Sequence, residues 1–464
     1  MRKHHTKARH YSSPGFRRPT TMSDNDNVIN SNAPIPNTIV PSLIPAKLDD
    51  LLRSNFSRNH LFNLGTDLIK LDLYQKFGHM TSVTGGGFIK TLVHSLSTFV
   101  KEEFEPDRTS EAGNRLRELV YLTSNLDLYN EDLRRGEETG ILNTHNISDF
   151  KWFFIAAGYM LVTSSKAKIV QFTESLAEIY AKARKYENLL TNPENQLQNE
   201  QQELLDILND YYETVEVDES LIHNGPKHIT MYYDGDYKVK LPELPTIRNK
   251  QLLVKALIHK ELYRAFLTPN HPIATKLKHI GYTDLNYRNY MVFRYDLSFL
   301  DGLGDFFLER EATNLMYKFK NMAPYNNDVS FGNRTYNMLK RILATNTLLS
   351  RLAAAYNLPF ALKDTVVHTF LQTYIEKYDH WSTTATQIDE GGIPDDIRYE
   401  QEFIADYFEA YVGAVFLEDP DKAQLYVNEL YMNILLLIGD KYKERDPCLY
   451  KYGNWCTDII GRKI

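Results

Sequence analysis

Two apolar segments, each carrying two acids at helical spacing, constrain this chain more than any other feature. Residues 297–308 (LSFLDGLGDFFL) place Asp301 and Asp305 four apart, and residues 404–418 (IADYFEAYVGAVFLE) place Asp406 and Glu409 three apart. Either spacing puts the pair on one helix face. Exposed acids normally sit among polar neighbours, whereas these four are set among Leu, Phe, Ile, Val and Ala. Two such helices facing inward gather four like charges, which repel unless protons or a cation neutralise them. Oxygen ligands of this kind suit a hard divalent cation such as Mg²⁺. On spacing alone, ordinary surface or capping acids are the competing reading.

The rest of the chain provides the material for a helical protein of more than one folded part. Its 464 residues are 43% hydrophobic and 12% aromatic, more than one core of usual size takes up. Residues 1–47 read as a disordered basic and polar segment, because 23–45 are rich in Asn, Asp and Pro and poor in large apolar groups. Residues 48–190 read as a first helical domain, clearest in the recurrence of Ile169, Phe172, Leu176, Ile179 and Ala183. Residues 191–240 read as a connection. It begins with the polar run NPENQLQNEQQ, includes a short helix at 204–215, and ends in the alternating stretch 229–240, which fits a hairpin or an extended linker. Helical patterning then fills a second domain, 241–441, broken at 269–272, 324–327 and 383–397, and a tail spans 442–464.

Charge and cysteine usage narrow the partners. Lys and Arg total 53 against 60 Asp and Glu, a net charge of −7, so nucleic-acid binding must use a local patch. With only Cys448 and Cys456, a disulfide framework or structural zinc site is not expected and the compartment reads as intracellular. No apolar run reaches the roughly 18 residues needed to cross a bilayer. The first 22 residues are basic and acid-free, which fits either a mitochondrial transit peptide or a disordered arm.

The acidic segments also carry a resemblance. Ala405, Asp406, Glu409, Ala410 and Gly413 reproduce the second motif of the ribonuclease III family, and LDGLGDFFL resembles the first, usually LEFLGD. Residues 251–260 (QLLVKALIHK) resemble the family's opening helix, 339–349 (LKRILATNTLL) the helix between the motifs, and 240–245 (KLPELP) the fungal branch. The resemblance spans about 200 residues in the family's order. It implies an all-α ribonuclease III-type endonuclease domain for double-stranded or hairpin RNA. Asp301, Asp305, Asp406 and Glu409 would be both catalytic residues and Mg²⁺ ligands, in a homodimer or an intramolecular pseudo-dimer.

Three departures bear on that implication. Asp301 is one methylene shorter than the usual Glu. Gly302 stands where a Phe normally plugs the partner subunit, and Leu297, Ser298 and Phe299 replace an Asn-Glu-Arg run. No segment resembles a double-stranded-RNA-binding domain; Lys340, Arg341 and Arg351 are candidate phosphate contacts that also read as a solvated helix face.

The first domain carries a fainter echo of the same motifs. Residues 59–69 (NHLFNLGTDLI) align Leu61, Leu64 and Gly65 with the first motif, and 150–160 (FKWFFIAAGYM) align Gly158 with the second. Phe62, Thr66, Lys151 and Phe154 then stand where the acids would be, making this a catalytically dead copy; an unrelated helical domain is the competing reading. The run GGGFIK at 85–90 lacks the Gly-Lys-Ser/Thr ending of a phosphate loop and reads as a turn. The expected function is Mg²⁺-dependent cleavage of structured RNA, in the nucleus or mitochondrion. Its rival is a catalytically impaired RNA-binding or scaffold protein on the same fold, such as a component of the mitochondrial large ribosomal subunit with ribosomal partners.

Overall fold

The computed structural model describes residues 55–77, 87–104, 110–123, 149–184, 199–230, 238–282, 287–322, 332–372 and 395–443. The basic arm, the 23–45 linker, Gly85 and Gly86, Tyr232, Tyr233, Tyr237, His5, His10, His145, Cys448 and Cys456 lie outside the described residues. The architecture is predominantly helical. The first segment comprises α1 (Asn55–Phe77), α2 (Gly87–Glu103), α3 (Glu111–Thr123), α4 (Asp149–Thr163) and α5 (Lys166–Arg184). After it come α6 (Asn199–Thr214), β1 (Glu216–Val217), α7 (Glu219–His223), β2 (His228–Thr230), β3 (Lys238–Lys240) and α8 (Lys250–Ala256). A 3₁₀ stretch, Lys260–Leu267, leads to α9 (Pro272–His279), α10 (Tyr287–Asn321), α11 (Asn333–Leu343), α12 (Asn346–Ala355), β4 (Leu362–Lys363), α13 (Asp395–Glu418) and α14 (Pro420–Lys443).

Local chemistry sets several boundaries. Pro272 stands in the first turn of α9, where a missing N–H costs nothing, and the His271 ring caps the helix by accepting from the Ile273 N–H. Thr345 accepts from the Leu348 N–H at 3.2 Å, so the run 339–349, read from sequence as one helix, is divided into α11 and α12 by an N-cap. At the two ends of the stretch 229–240, β2 and β3 pair antiparallel, with Ile229 opposite Val239 and Thr230 opposite Lys238. The 191–240 connection contains more structure than its polar composition suggests. Helix α6 begins at Asn199, five residues before the expected start, and buries Leu204, Leu208, Tyr211 and Tyr212. Tyr212 donates to Asp296 at 3.0 Å, which ties α6 to α10.

Two helix crossings organise the core, and glycine permits both. In α10 and α13, a Cβ on Gly304 would overlap the Glu409 carbonyl, and one on Gly413 would overlap the Leu300 carbonyl while standing 3.0 Å from the Gly304 nitrogen. In α1 and α4, a Cβ on Gly65 would overlap the Phe154 carbonyl, and one on Gly158 would overlap the Leu61 carbonyl, again 3.0 Å from the Gly65 nitrogen. In each crossing the obstructed carbonyl lies four residues before the partner glycine. The backbones approach so closely that only hydrogen fits at the contact.

The helix pairs meet along α1 and α10, which run antiparallel. His60 stacks on Tyr317 with ring centroids 4.5 Å apart, Asp67 accepts from Thr313 and pairs with Lys340 at 2.8 Å, and Lys70 pairs with Glu309 at 3.3 Å. Tyr74 packs against Phe306 and Phe299, with centroids at 5.1 and 5.9 Å. Described residues of 48–190 and 241–441 therefore share one continuous apolar core.

Candidate acidic site

The crossing of α10 and α13 brings the four acids singled out from sequence to one place. Leu300, Leu303, Phe307, Ala405, Phe408 and Val412 pack beside them as core residues, which orients each carboxylate pair toward the other helix. Asp301, Asp406 and Glu409 are buried, while Asp305 keeps contact with solvent. The four acids act on one another electrostatically across the crossing, and among the described residues no group of three His, Cys, Asp or Glu side chains is already arranged around one ion.

The acids are not equivalent. Burial alone would raise Asp406, but His259 and Lys260 together more than offset it and hold its carboxyl below the ordinary value. The His259 ring accepts from the Glu261 N–H through Nδ1, so Nε2 carries the proton and donates to Asp406 Oδ2 at 2.8 Å. Lys260 reaches the same Oδ2 at 2.6 Å and also pairs with Asp301 Oδ2. Burial raises Asp301, with Lys260 opposing and Asp406 adding to the rise, and its Oδ1 is buried without a hydrogen-bond partner. Burial, then Asp305, Asp406 and Asp301 in turn, push Glu409 well above its usual value. Asp305 is raised to about 7 by the protein packed around its carboxyl and by Glu309, with Lys70 opposing.

Lys260 emerges as the cation of the site, and sequence reading had passed over it. The only available signal was its position directly after His259, at the end of the opening helix. Burial would lower the Lys260 pKa, but Asp301 and Asp406 outweigh that effect and raise it, so the ammonium stays charged. Tyr74 was also missed, since nothing in the sequence links position 74 to 302. Its ring occupies the space that Gly302 leaves, where a Cβ would come within 2.5 Å of Tyr74 Cζ, and its hydroxyl donates to the Ser298 carbonyl at 3.3 Å.

Of the three candidate phosphate contacts, which also read as a solvated helix face, two do not face solvent. Lys340 is committed to Asp67 and Glu309 between the helix pairs, and Arg351 is buried, whereas Arg341 is exposed. At the other crossing, Phe62 and Phe154 meet edge to face with centroids 5.5 Å apart. An aromatic pair thus stands in the α1–α4 crossing where α10 and α13 hold carboxylates.

No protein-family model matches the chain, and neither a curated protein nor a solved structure matches it.

Proposed function

We propose that this chain is an Mg²⁺-dependent endoribonuclease of the ribonuclease III type, acting on double-stranded or structured RNA. One observation carries the reading: a glycine-gated crossing sets two acids from each of two helices beside one another, three buried in an apolar core and Asp305 at its solvent edge. Burying three carboxylates beside a fourth serves no packing purpose and is costly without a counter-charge. Lys260 supplies one positive charge shared by Asp301 and Asp406, and Lys70 opposes the rise at Asp305, but burial and the neighbouring carboxylates still hold Asp305 and Glu409 above their ordinary values.

The donor chemistry suits Mg²⁺, which keeps most of its waters and takes one or two carboxylates rather than a cage of three: Asp305, Glu409 and the unpartnered Asp301 Oδ1 would offer hard oxygens, and Asp305 meets solvent, where a phosphate would arrive. When bound, such an ion supplies an activated water and offsets charge on the scissile phosphate. The chain's own residues do the rest. His259 holds the Asp406 carboxylate in place, and Lys260, paired with Asp301 and Asp406, would share those carboxylates with any ion bound there. A nuclear or mitochondrial setting goes with this reading, and among the described residues no helix is long and apolar enough to cross a membrane.

The Lys260 bridge favours a second reading, a non-catalytic RNA-binding or scaffold protein in which the ammonium has taken over the neutralising role. Cleavage of a long RNA duplex with and without Mg²⁺, beside an Asp305→Asn, Glu409→Gln double variant, separates the two. Metal-dependent products lost in the variant are expected; intact duplex from protein that still binds it would leave the scaffold.

A further inference from the structure

The contacts of the two helix pairs, α1 with α4 and α10 with α13, obey an approximate two-fold relation. The shift that carries Gly65 onto Gly304 carries Leu61 onto Leu300, and the shift that carries Gly158 onto Gly413 carries Phe154 onto Glu409; these are the residues whose carbonyls block the opposing glycines. Under the first shift Lys70 falls on Glu309, and these two equivalent positions face each other across the α1–α10 seam at 3.3 Å. A residue that meets its own equivalent marks the axis of an isologous contact. The neighbouring contacts obey the same symmetry. Asp67 meets Thr313 and Tyr74 meets Phe306, and the shift exchanges one pair for the other.

The same shifts place Phe62 on Asp301, Thr66 on Asp305, Lys151 on Asp406 and Phe154 on Glu409. The aromatic pair Phe62 and Phe154 therefore fills the place, in one half, of the carboxylate cluster in the other. Neither ring offers an oxygen to hold a cation or to orient a water.

We infer that residues 55–184 are a fused counterpart of the acidic half that lacks its carboxylate cluster, so that one chain offers an RNA duplex a two-fold frame with a single cutting centre and severs one strand per binding event. This rests on the nuclease reading above. An antiparallel duplex has its own local two-fold axes, each exchanging the strands, so a two-fold frame seated on one sets its two equivalent places against opposite strands. With carboxylates at only one place, the second strand stays intact until the protein rebinds in the other orientation.

The experiment uses the full chain, a duplex RNA with a different label on each strand, protein in excess and Mg²⁺, sampled at early times on native and denaturing gels. Light scattering of the complex, formed without Mg²⁺, counts chains per duplex. Nicked duplex that accumulates ahead of broken duplex, with one chain bound, is the expected result. Paired cuts on both strands with no nicked intermediate, or an active complex of two chains, would overturn the inference while leaving the nuclease reading intact. A duplex that is bound but never cut would remove the nuclease reading and the one-strand inference with it.

Discussion

Replacing Gly304 with Ala tests the crossing on which the acidic site depends. In an ordinary helix interior the change stabilises by about 1 kcal/mol, because Gly has more backbone freedom to lose. Here the new Cβ would lie 2.5 Å from the Glu409 carbonyl carbon and closer still to its oxygen. Relaxed carbon contacts are about 3.5–4.0 Å, so the helices must part by roughly 1 Å. The obstacle is backbone on α13, which cannot swing aside as a side chain does. Overpacking of this kind costs about 1–3 kcal/mol, and the backbone contact places Gly304→Ala at the upper end, for a net loss near 2 kcal/mol after the helix-propensity gain. Urea unfolding followed by helical circular dichroism should register this as a lower midpoint. Gly65→Ala should behave alike, while Gly302→Ala, which meets the movable end of Tyr74, should cost less. An unchanged or higher midpoint for Gly304→Ala would refute the close approach of α10 and α13, and with it the convergence of the acids.

Other outcomes follow from the same contacts. Lys260→Met strips Asp301 and Asp406 of their shared counter-charge and should cost about 3 kcal/mol at neutral pH; millimolar Mg²⁺ should restore more of the midpoint in this variant than in the wild type. A loss that Mg²⁺ does not touch would argue that the four acids do not act as a ligand set. Burial, then Lys340, lower the His60 pKa from 6.5 to about 3, so the unfolded chain binds the extra proton across that window. Stability should therefore fall as pH drops from 6.5 towards 3, by up to about 1.4 kcal/mol per pH unit, and His60→Phe should flatten the dependence. Parallel profiles for both proteins would show that His60 is not held neutral. Lys70→Glu should weaken the half-exposed pair at the two-fold seam by at most about 1 kcal/mol, with Glu309→Lys in the same chain restoring it. Additive losses in a double-mutant cycle would contradict the pairing.

The sequence by itself determined the helices and the chemistry on them. Apolar spacing around Ile169, Phe172, Leu176 and Ile179 put those residues in the core, because a helix repeats its face every 3.6 residues whatever it packs against. The same regularity placed Asp301 with Asp305 and Asp406 with Glu409, while the alignment of Gly65 and Gly158 with Gly304 and Gly413 came from the resemblance of their segments to the same two motifs. Boundaries were less legible, since Thr345 caps α12 through a single hydroxyl inside an otherwise continuous helical pattern.

Tertiary structure alone decided what stands beside each acid. Lys260 reaches Asp301 and Asp406 from the 3₁₀ stretch, Tyr74 fills the notch at Gly302, and Lys340, which reads as a surface cation, is taken by Asp67. Each of these pairings joins residues far apart in the chain, and periodicity carries no information about which faces of distant helices meet. The chemical character of a helix face is written in local spacing; its counter-charge, its solvent contact and its partner depend on which other face the fold brings against it.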